Sequence, residues 1–86
     1  RRFVVETLGP LAGPGRANAR LRETLRVYLA EGDNAAATAT RLGTHRNTVL
    51  QRVARAQELL GHRIADRRLS LAVALEAAAR LGLLAE

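Results

Sequence analysis

The chain has 86 residues, no cysteine, and 14 basic residues against 8 acidic ones, which gives a net charge of +6. This length allows one small domain, and the absence of cysteine excludes disulfides, thiolate metal sites and cysteine nucleophiles. The excess of positive charge favours an anionic partner such as nucleic acid. Apolar residues make up 48% of the chain and aromatic ones only 2%, which favours closely packed helices over a sheet.

All 14 basic residues are arginine. Arginine is forked and always charged, which suits contacts to phosphate and guanine. A GC-rich coding sequence also selects arginine over lysine, but it does not explain the excess of positive charge. No apolar run approaches the ~20 residues that span a bilayer and no signal peptide is visible, so we expect a cytoplasmic protein, associated with the nucleoid when it is bound to DNA.

The N-terminal segment, residues 1–17, is predicted to lie outside the core. Five glycine and proline residues fall within 9–15, a density that breaks helices and strands. We interpret residues 1–17 as a connector or the tail of an upstream domain, with Leu8 and Leu11 packed against the helices. Residues 18–86 are predicted to form the functional domain. Because the chain begins without methionine, we expect it to be part of a longer protein.

The first helix of the functional domain is predicted from Asn18, as its N-cap, to Glu31. Gly32 ends this helix, and Asn34 is placed to cap the next one. The apolar residues of the helix recur at helical spacing and form one stripe on an otherwise polar surface. These residues are Leu21, Leu25, Tyr28 and Leu29.

Three further helices follow. They are predicted over residues 35–42, over residues 45–60 with Gly61 closing the helix, and from Asp66, as its cap, to about Leu84. The predicted fold class is therefore all-α, a small bundle of four to five helices that contains a helix-turn-helix.

The helix-turn-helix is predicted between residues 34 and 60, where two helices are joined by a tight turn containing glycine. Small or apolar residues are expected to build the angle between these helices. These residues are Ala39, Leu42, Gly43, Val49 and Val53. Thr44 stands in the turn, where its hydroxyl is predicted to cap the third helix.

The face of the third helix opposite Val49 is predicted to meet DNA. At 100° per residue, Asn47 and Gln51 lie opposite Val49, and their amides can bond base edges. Neighbouring side chains flank this face or stand at the helix N-terminus, where free N–H groups favour a phosphate. The predicted DNA-binding set is His45, Arg46, Asn47, Thr48, Leu50, Gln51, Arg55, Arg41 and Arg52.

The arginines of this set are not equivalent. Arg55 is the stronger candidate for a phosphate contact. Arg52 lies near the edge of the buried face, which leaves open a phosphate contact, an intramolecular pair or base reading. Arg41, at the end of the second helix, is either a contact to the DNA backbone or a solvated side chain.

The third helix begins with His45-Arg46-Asn47-Thr48-Val49 and continues through Arg52-Val53 to Glu58-Leu59-Leu60-Gly61. This pattern resembles the C-terminal helix-turn-helix of PucR-type (purine catabolism regulator, CdaR-like) bacterial transcription factors. The resemblance implies the DNA-binding end of a longer regulator whose upstream domains sense a metabolite or signal. It also implies that residues 45–48 begin the recognition helix. Residues 50–52 read Leu-Gln-Arg where that family usually has Arg-Tyr-Arg.

The last helix is apolar nearly all round between residues 69 and 84. One apolar stripe would suffice for packing on the rest of the domain. Three interpretations remain open: a homodimer contact through the helix at residues 66–84, docking onto an upstream domain, and a helix fully buried in a small bundle.

Sequence-specific binding of double-stranded DNA, with the helix at residues 45–60 in the major groove, is the function that the sequence favours. The alternative is a helical protein-interaction module whose basic face binds an acidic partner. We expect no enzymatic activity, metal or cofactor. His45 and His62 stand 17 residues apart without cysteine or paired carboxylates nearby, and Ser70 has no base partner.

Overall fold

Five α-helices account for most of residues 1–85, the part of the chain that the computed structural model describes. The helices are α1 (Arg2–Leu8), α2 (Arg16–Ala30), α3 (Ala35–Leu42), α4 (Arg46–Leu60) and α5 (Arg68–Leu81). Two 3-10 turns, Gly9–Ala12 and Ile64–Arg67, connect α1 to the rest and introduce α5. No strand occurs in this part of the chain, so the predicted all-α helical bundle is confirmed. The last residue of the predicted domain, residue 86, lies outside the described residues.

The N-terminal segment is part of the core, so the prediction that residues 1–17 lie outside it is wrong. Val4 is 2% exposed, and Leu8 and Leu11 are fully buried, as expected of these two leucines. The glycine and proline residues bend the chain instead of ending its structure. Gly9 adopts a positive φ of 54° and Pro10 enters the 3-10 turn, so α1 folds back onto α5. A link between residues 1–17 and an upstream domain stays a prediction.

A buried arginine anchors the segment between α1 and α2. Arg22 is 8% exposed and donates hydrogen bonds to the backbone oxygens of Leu11 (3.0 Å), Gly13 (2.9 Å) and Ala85 (3.0 Å). A buried guanidinium is tolerated only when hydrogen bonds replace its lost water. Here these bonds satisfy carbonyl groups in the segment before α2 and in the segment after α5, and they tie both segments to α2.

Helix α2 begins at Arg16, so the prediction that Asn18 is its N-cap is wrong. Gly15, with a φ of 102°, directs the chain into the helix, and Asn18 already lies in the first turn. The Asn18 side chain donates instead to the Pro14 oxygen at 3.3 Å. The predicted end is confirmed, because Gly32 follows the C-cap in a left-handed conformation with a φ of 65°.

Helix α5 is shorter than predicted, and Asp66 does not cap it. Asp66 lies in the preceding 3-10 turn, where its carboxylate is 3.5 Å from Nη2 of Arg63. The helix ends at Leu81 because Gly82 is left-handed, with a φ of 60°, so the predicted end at Leu84 is also wrong.

One side of α5 is buried and the other is open. Leu71, Ala74, Leu75 and Ala78 are in the core. Leu69, Val73 and Leu81 are 78%, 50% and 69% exposed. A helix fully buried within this chain is therefore wrong, and contact with a second copy or an upstream domain stays a prediction.

Arg26 links α2 to α5. Its guanidinium bonds Glu76 at 3.0 Å and the two carboxylate oxygens of Glu23 at 2.6 and 2.9 Å. The bond from Arg26, followed by that from Arg80, lowers the pKa of the Glu76 carboxyl below its ordinary value of 4.5. Because the folded state has the lower pKa, these bonds stabilise the fold above pH 4.5, and the gain is lost as the pH falls below that value.

Replacing Leu8 with alanine tests whether the N-terminal segment belongs to the core. Because Leu8 is fully buried, we expect Leu8→Ala to lower the free energy of unfolding by about 2–5 kcal/mol, measured by urea denaturation. The control is Leu69→Ala, which removes the same atoms from a side chain that is 78% exposed and should change stability by less than about 0.5 kcal/mol. Equal effects of the two substitutions would contradict the packing of α1.

Candidate nucleic-acid interface

The start of α3 is fixed by an N-cap. Asn34 has an extended backbone, and its side-chain oxygen accepts a hydrogen bond from the Ala37 N–H at 2.9 Å, so the predicted cap is confirmed. The Thr38 hydroxyl donates to the Asn34 backbone oxygen at 2.8 Å, and Thr38 is fully buried. The first helix of the predicted helix-turn-helix thus begins at a defined residue and faces inward through Thr38 and Ala39.

A three-residue turn joins α3 to α4. Gly43 is left-handed, with φ 70° and ψ 39°, and the Thr44 N–H donates to the Ala39 oxygen at 2.9 Å. A left-handed residue at this position favours glycine because a Cβ would strain the backbone. The predicted cap by Thr44 is wrong: the N-cap position falls on His45, which makes no side-chain capping bond.

A narrow stripe holds α4 to the rest of the bundle. Only Val49, Val53 and Ala56 of its 15 residues are buried, at 0%, 7% and 0% exposure. Ala39 of α3 is 6% exposed, and its small side chain allows close approach of α3 and α4. Leu42 is half-buried and lines a groove together with Arg52 of α4, and its predicted packing in the angle between α3 and α4 stays a prediction. The predicted burial of Ala39, Val49 and Val53 is confirmed, and seven of the 15 residues of α4 are exposed.

The free face of α4 carries the predicted base-reading residues. Asn47 and Gln51 are exposed, and within residues 1–85 their amides bond no other side chain or backbone group. Leu50 is 37% exposed, and Thr48 is half-buried at the edge of the same face. Ala54 is exposed between them and leaves room for close approach of a partner.

The charged residues around this face differ in what they bond. Arg55 pairs with Glu58 at 3.1 Å, and Arg41 pairs with Glu31 at 3.0 Å. Such exposed pairs contribute little stability, so their arginines can exchange partners. Arg46 and His45 are exposed at the start of α4.

Arg52 is half-buried, and its guanidinium donates to the Thr24 hydroxyl on α2 at 3.4 Å. Contact of the whole predicted set with DNA stays a prediction.

Two arginines that the sequence analysis did not select also lie near this surface. Arg16 and Arg20 are exposed on α2, and they line a groove together with Arg52 of α4. From the sequence, helix α2 was described only by its ends and its apolar stripe. The spacing of four residues, which places both arginines on one face of α2, was the available signal.

Other kinds of site lack support in the described part of the chain. Residues 1–85 contain no group of three or more histidine, aspartate or glutamate side chains placed to hold a metal ion. None of the five helices is both long and apolar enough to cross a membrane.

Comparison with known proteins agrees with this geometry. The family model described as the PucR C-terminal helix-turn-helix domain matches residues 21–81. The chain belongs to this family. The resemblance found in the sequence is therefore confirmed, and the family is one of helix-turn-helix domains and not an enzyme class. The matched range includes all of α3, α4 and α5, and most of α2.

Two relatives extend the comparison of this PucR-type domain. A protein of Thermomonospora curvata, named as an uncharacterized protein in the pkwA 5' region, is 44% identical over 59 residues, which are 69% of this chain and 33% of that protein. The purine catabolism regulatory protein of Bacillus subtilis (strain 168) is 39% identical over 66 residues, which are 77% of this chain and 12% of that protein. The chain thus corresponds to a minor part of each relative. No solved structure matches it.

Replacing Asn34 tests the capping of the PucR-type helix-turn-helix. We expect Asn34→Ala to lower the free energy of unfolding by about 1 kcal/mol, because the Ala37 N–H loses its partner. Asn34→Asp is the matched control, since its carboxylate can accept the same bond. Thermal and urea unfolding measure both variants, and an equal loss in the two would show that the side-chain bond is not what stabilises α3.

Proposed function

We propose that this chain binds double-stranded DNA sequence-specifically, as the C-terminal domain of a bacterial transcription regulator. One observation carries the proposal: α4 is held by a narrow stripe and presents a long, polar, unpartnered face beyond the turn of a helix-turn-helix. In this motif the second helix enters the major groove with its N-terminal residues nearest to the bases. Membership of the PucR C-terminal helix-turn-helix family supports the same function.

The dimensions and chemistry of α4 suit a major groove. Its 15 residues span about 22 Å, and a groove about 12 Å wide admits one α-helix. Asn47 and Gln51 lie one turn apart in the N-terminal half of α4, and their amides can pair with both the N6 and N7 atoms of adenine. Leu50 offers an apolar contact to a thymine methyl group. The open space at Ala54 lets α4 approach the base edges.

Phosphate contacts come from the charged flanks of α4. Arg46 stands in the first turn, where backbone N–H groups and the helix dipole also favour an anion. Arg55 can exchange Glu58 for a phosphate, since its side chain is 58% exposed and the ion pair is weak. His45, Thr48, Arg41 and Arg52 complete the proposed contact set.

The wider role of the protein is also part of the proposal. The Bacillus subtilis relative is named as a regulatory protein, and this chain matches only 12% of its length. We infer that a sensory domain of the same protein precedes the DNA-binding domain. We also infer that the exposed side of α5 supports a homodimer, and that the protein acts in the bacterial cytoplasm.

A salt titration with duplex DNA tests the proposed function. With four to six phosphate contacts, the logarithm of the binding constant should fall linearly with the logarithm of salt concentration, with a slope of about −4 to −5. Fluorescence anisotropy of a labelled duplex between low and moderate salt measures this slope. The control ligand is polyglutamate. Binding of polyglutamate without binding of duplex would instead support a module that recognises acidic proteins.

Substitutions on α4 separate base reading from phosphate binding. Selection from a random duplex library first supplies a preferred sequence. Asn47→Ala and Gln51→Ala should each reduce discrimination against altered sites by about 1–3 kcal/mol, with less effect on binding to unrelated DNA. Arg55→Ala should instead weaken preferred and unrelated duplexes by the same factor and reduce the salt slope by about one. If the two amide variants weakened all duplexes equally, α4 would not be the reading helix.

A further inference from the structure

Two shallow grooves run between α2 and α4 and share Arg20 and Arg52. The first has a volume of about 300 Å³ and is also lined by Arg16. The second has a volume of about 470 Å³ and is also lined by Arg55. We call this combined surface the arginine groove. Two of its arginines belong to α2, which lies outside the helix-turn-helix, and two to α4.

The arginine groove has more positive charge than its own carboxylates neutralise. Arg16 and Arg20 make no ion pair with any residue in 1–85. Glu23 also lines the first groove, but Arg26 bonds both of its carboxylate oxygens. Arg52 contacts a neutral hydroxyl, and Arg55 has only the exposed Glu58. Neighbouring guanidinium groups repel one another, so an anion that binds among them lowers their electrostatic energy.

The contact of Arg52 fixes where this charge lies relative to the free face of α4. The guanidinium lies at the boundary with α2, where it donates a long hydrogen bond of 3.4 Å to the Thr24 hydroxyl. At 100° per residue, Arg55 is about 40° and Arg52 about 100° round α4 from Gln51. Arg55 is therefore next to the proposed base-reading face, and Arg52 lies further round α4, on the side nearer to α2. When a helix lies in the major groove, its flanks face the sugar-phosphate backbones that border the groove.

We propose that the arginine groove binds the phosphate backbone of one DNA strand beside the major groove that α4 enters. The inference rests on the proposed function and extends it to α2, which would add phosphate contacts through Arg16 and Arg20. These residues lie about 6 Å apart along the helix, so they can reach different phosphates of the strand. Such contacts position the domain on the duplex and carry no sequence information.

The shape of the groove favours a phosphate chain over a single small anion. Both parts are open, and their arginines are spread over two helices instead of converging on one point. Arg16, Arg20 and Arg55 are exposed, so an isolated phosphate would stay largely hydrated there. A DNA strand presents a row of phosphates at a spacing of about 3.4 Å along the duplex axis, which matches an elongated row of donors.

The double variant Arg16→Ala/Arg20→Ala tests the inference, with fluorescence anisotropy on the preferred duplex and on an unrelated duplex at several salt concentrations. Loss of two phosphate contacts should reduce the magnitude of the salt slope by about 1.8 and weaken both duplexes about ten- to thirty-fold. The ratio between the two duplexes should stay unchanged. Arg16→Lys/Arg20→Lys keeps the charge and should retain most of the slope.

The matched control is Arg2→Ala/Arg80→Ala, which removes the same number of charges from exposed positions on α1 and α5. It should leave the slope unchanged, and circular dichroism verifies that each variant is folded. If both alanine pairs had the same small effect while the unmodified chain bound duplex, the inference would be overturned and the proposed function would stand. A change in the ratio between duplexes would assign sequence reading to α2 and also overturn it. An unmodified chain that bound no duplex would overturn both proposals.

Discussion

The narrow contact through which α4 is buried decides which face of that helix the domain presents. Val49, Val53 and Ala56 form one short stripe, and the small Ala39 on α3 lets the two helices meet closely. Asn47 and Gln51 lie on the side of α4 opposite Val49, so burial of this stripe leaves both of them exposed. Leu59 and Leu60 extend this contact at the C-terminal end of α4, and Asn47 and Gln51 stay exposed in its N-terminal half.

The fold was predictable from sequence wherever local chemistry decides it. The cap at Asn34, the left-handed turn at Gly43 and the end of α4 at Gly61 depend on residues within a few positions of one another. The wrong predictions concern segments whose structure depends on contacts with residues far away in the sequence. The N-terminal segment is ordered because Leu8 and Leu11 pack into a core built by later helices. Within the segment itself, the density of glycine and proline indicates irregular structure, so its burial could not be predicted from local sequence.

The candidate site was predictable to a similar degree. The period of α4 identifies the face of Asn47 and Gln51, since burial of Val49 forces the opposite side outward. Arg16 and Arg20 were missed because they precede Arg52 by more than thirty positions, and only the packing of α2 on α4 brings them together. The orientation of the Arg52 side chain also depends on that packing, because its guanidinium donates to the Thr24 hydroxyl of α2. Side chains at the boundary of two helices therefore need the tertiary structure.

The buried guanidinium of Arg22 has a mechanical consequence. It bonds the backbone before α2 at Leu11 and Gly13, and the backbone after α5 at Ala85. Hydrogen bonds therefore hold the segment between α1 and α2 against α2. Helix α1 packs against α5, and the 3-10 turn that follows it contacts both α2 and α4. The N-terminal segment is thereby joined to the same packed unit that holds α4, the helix with the free polar face.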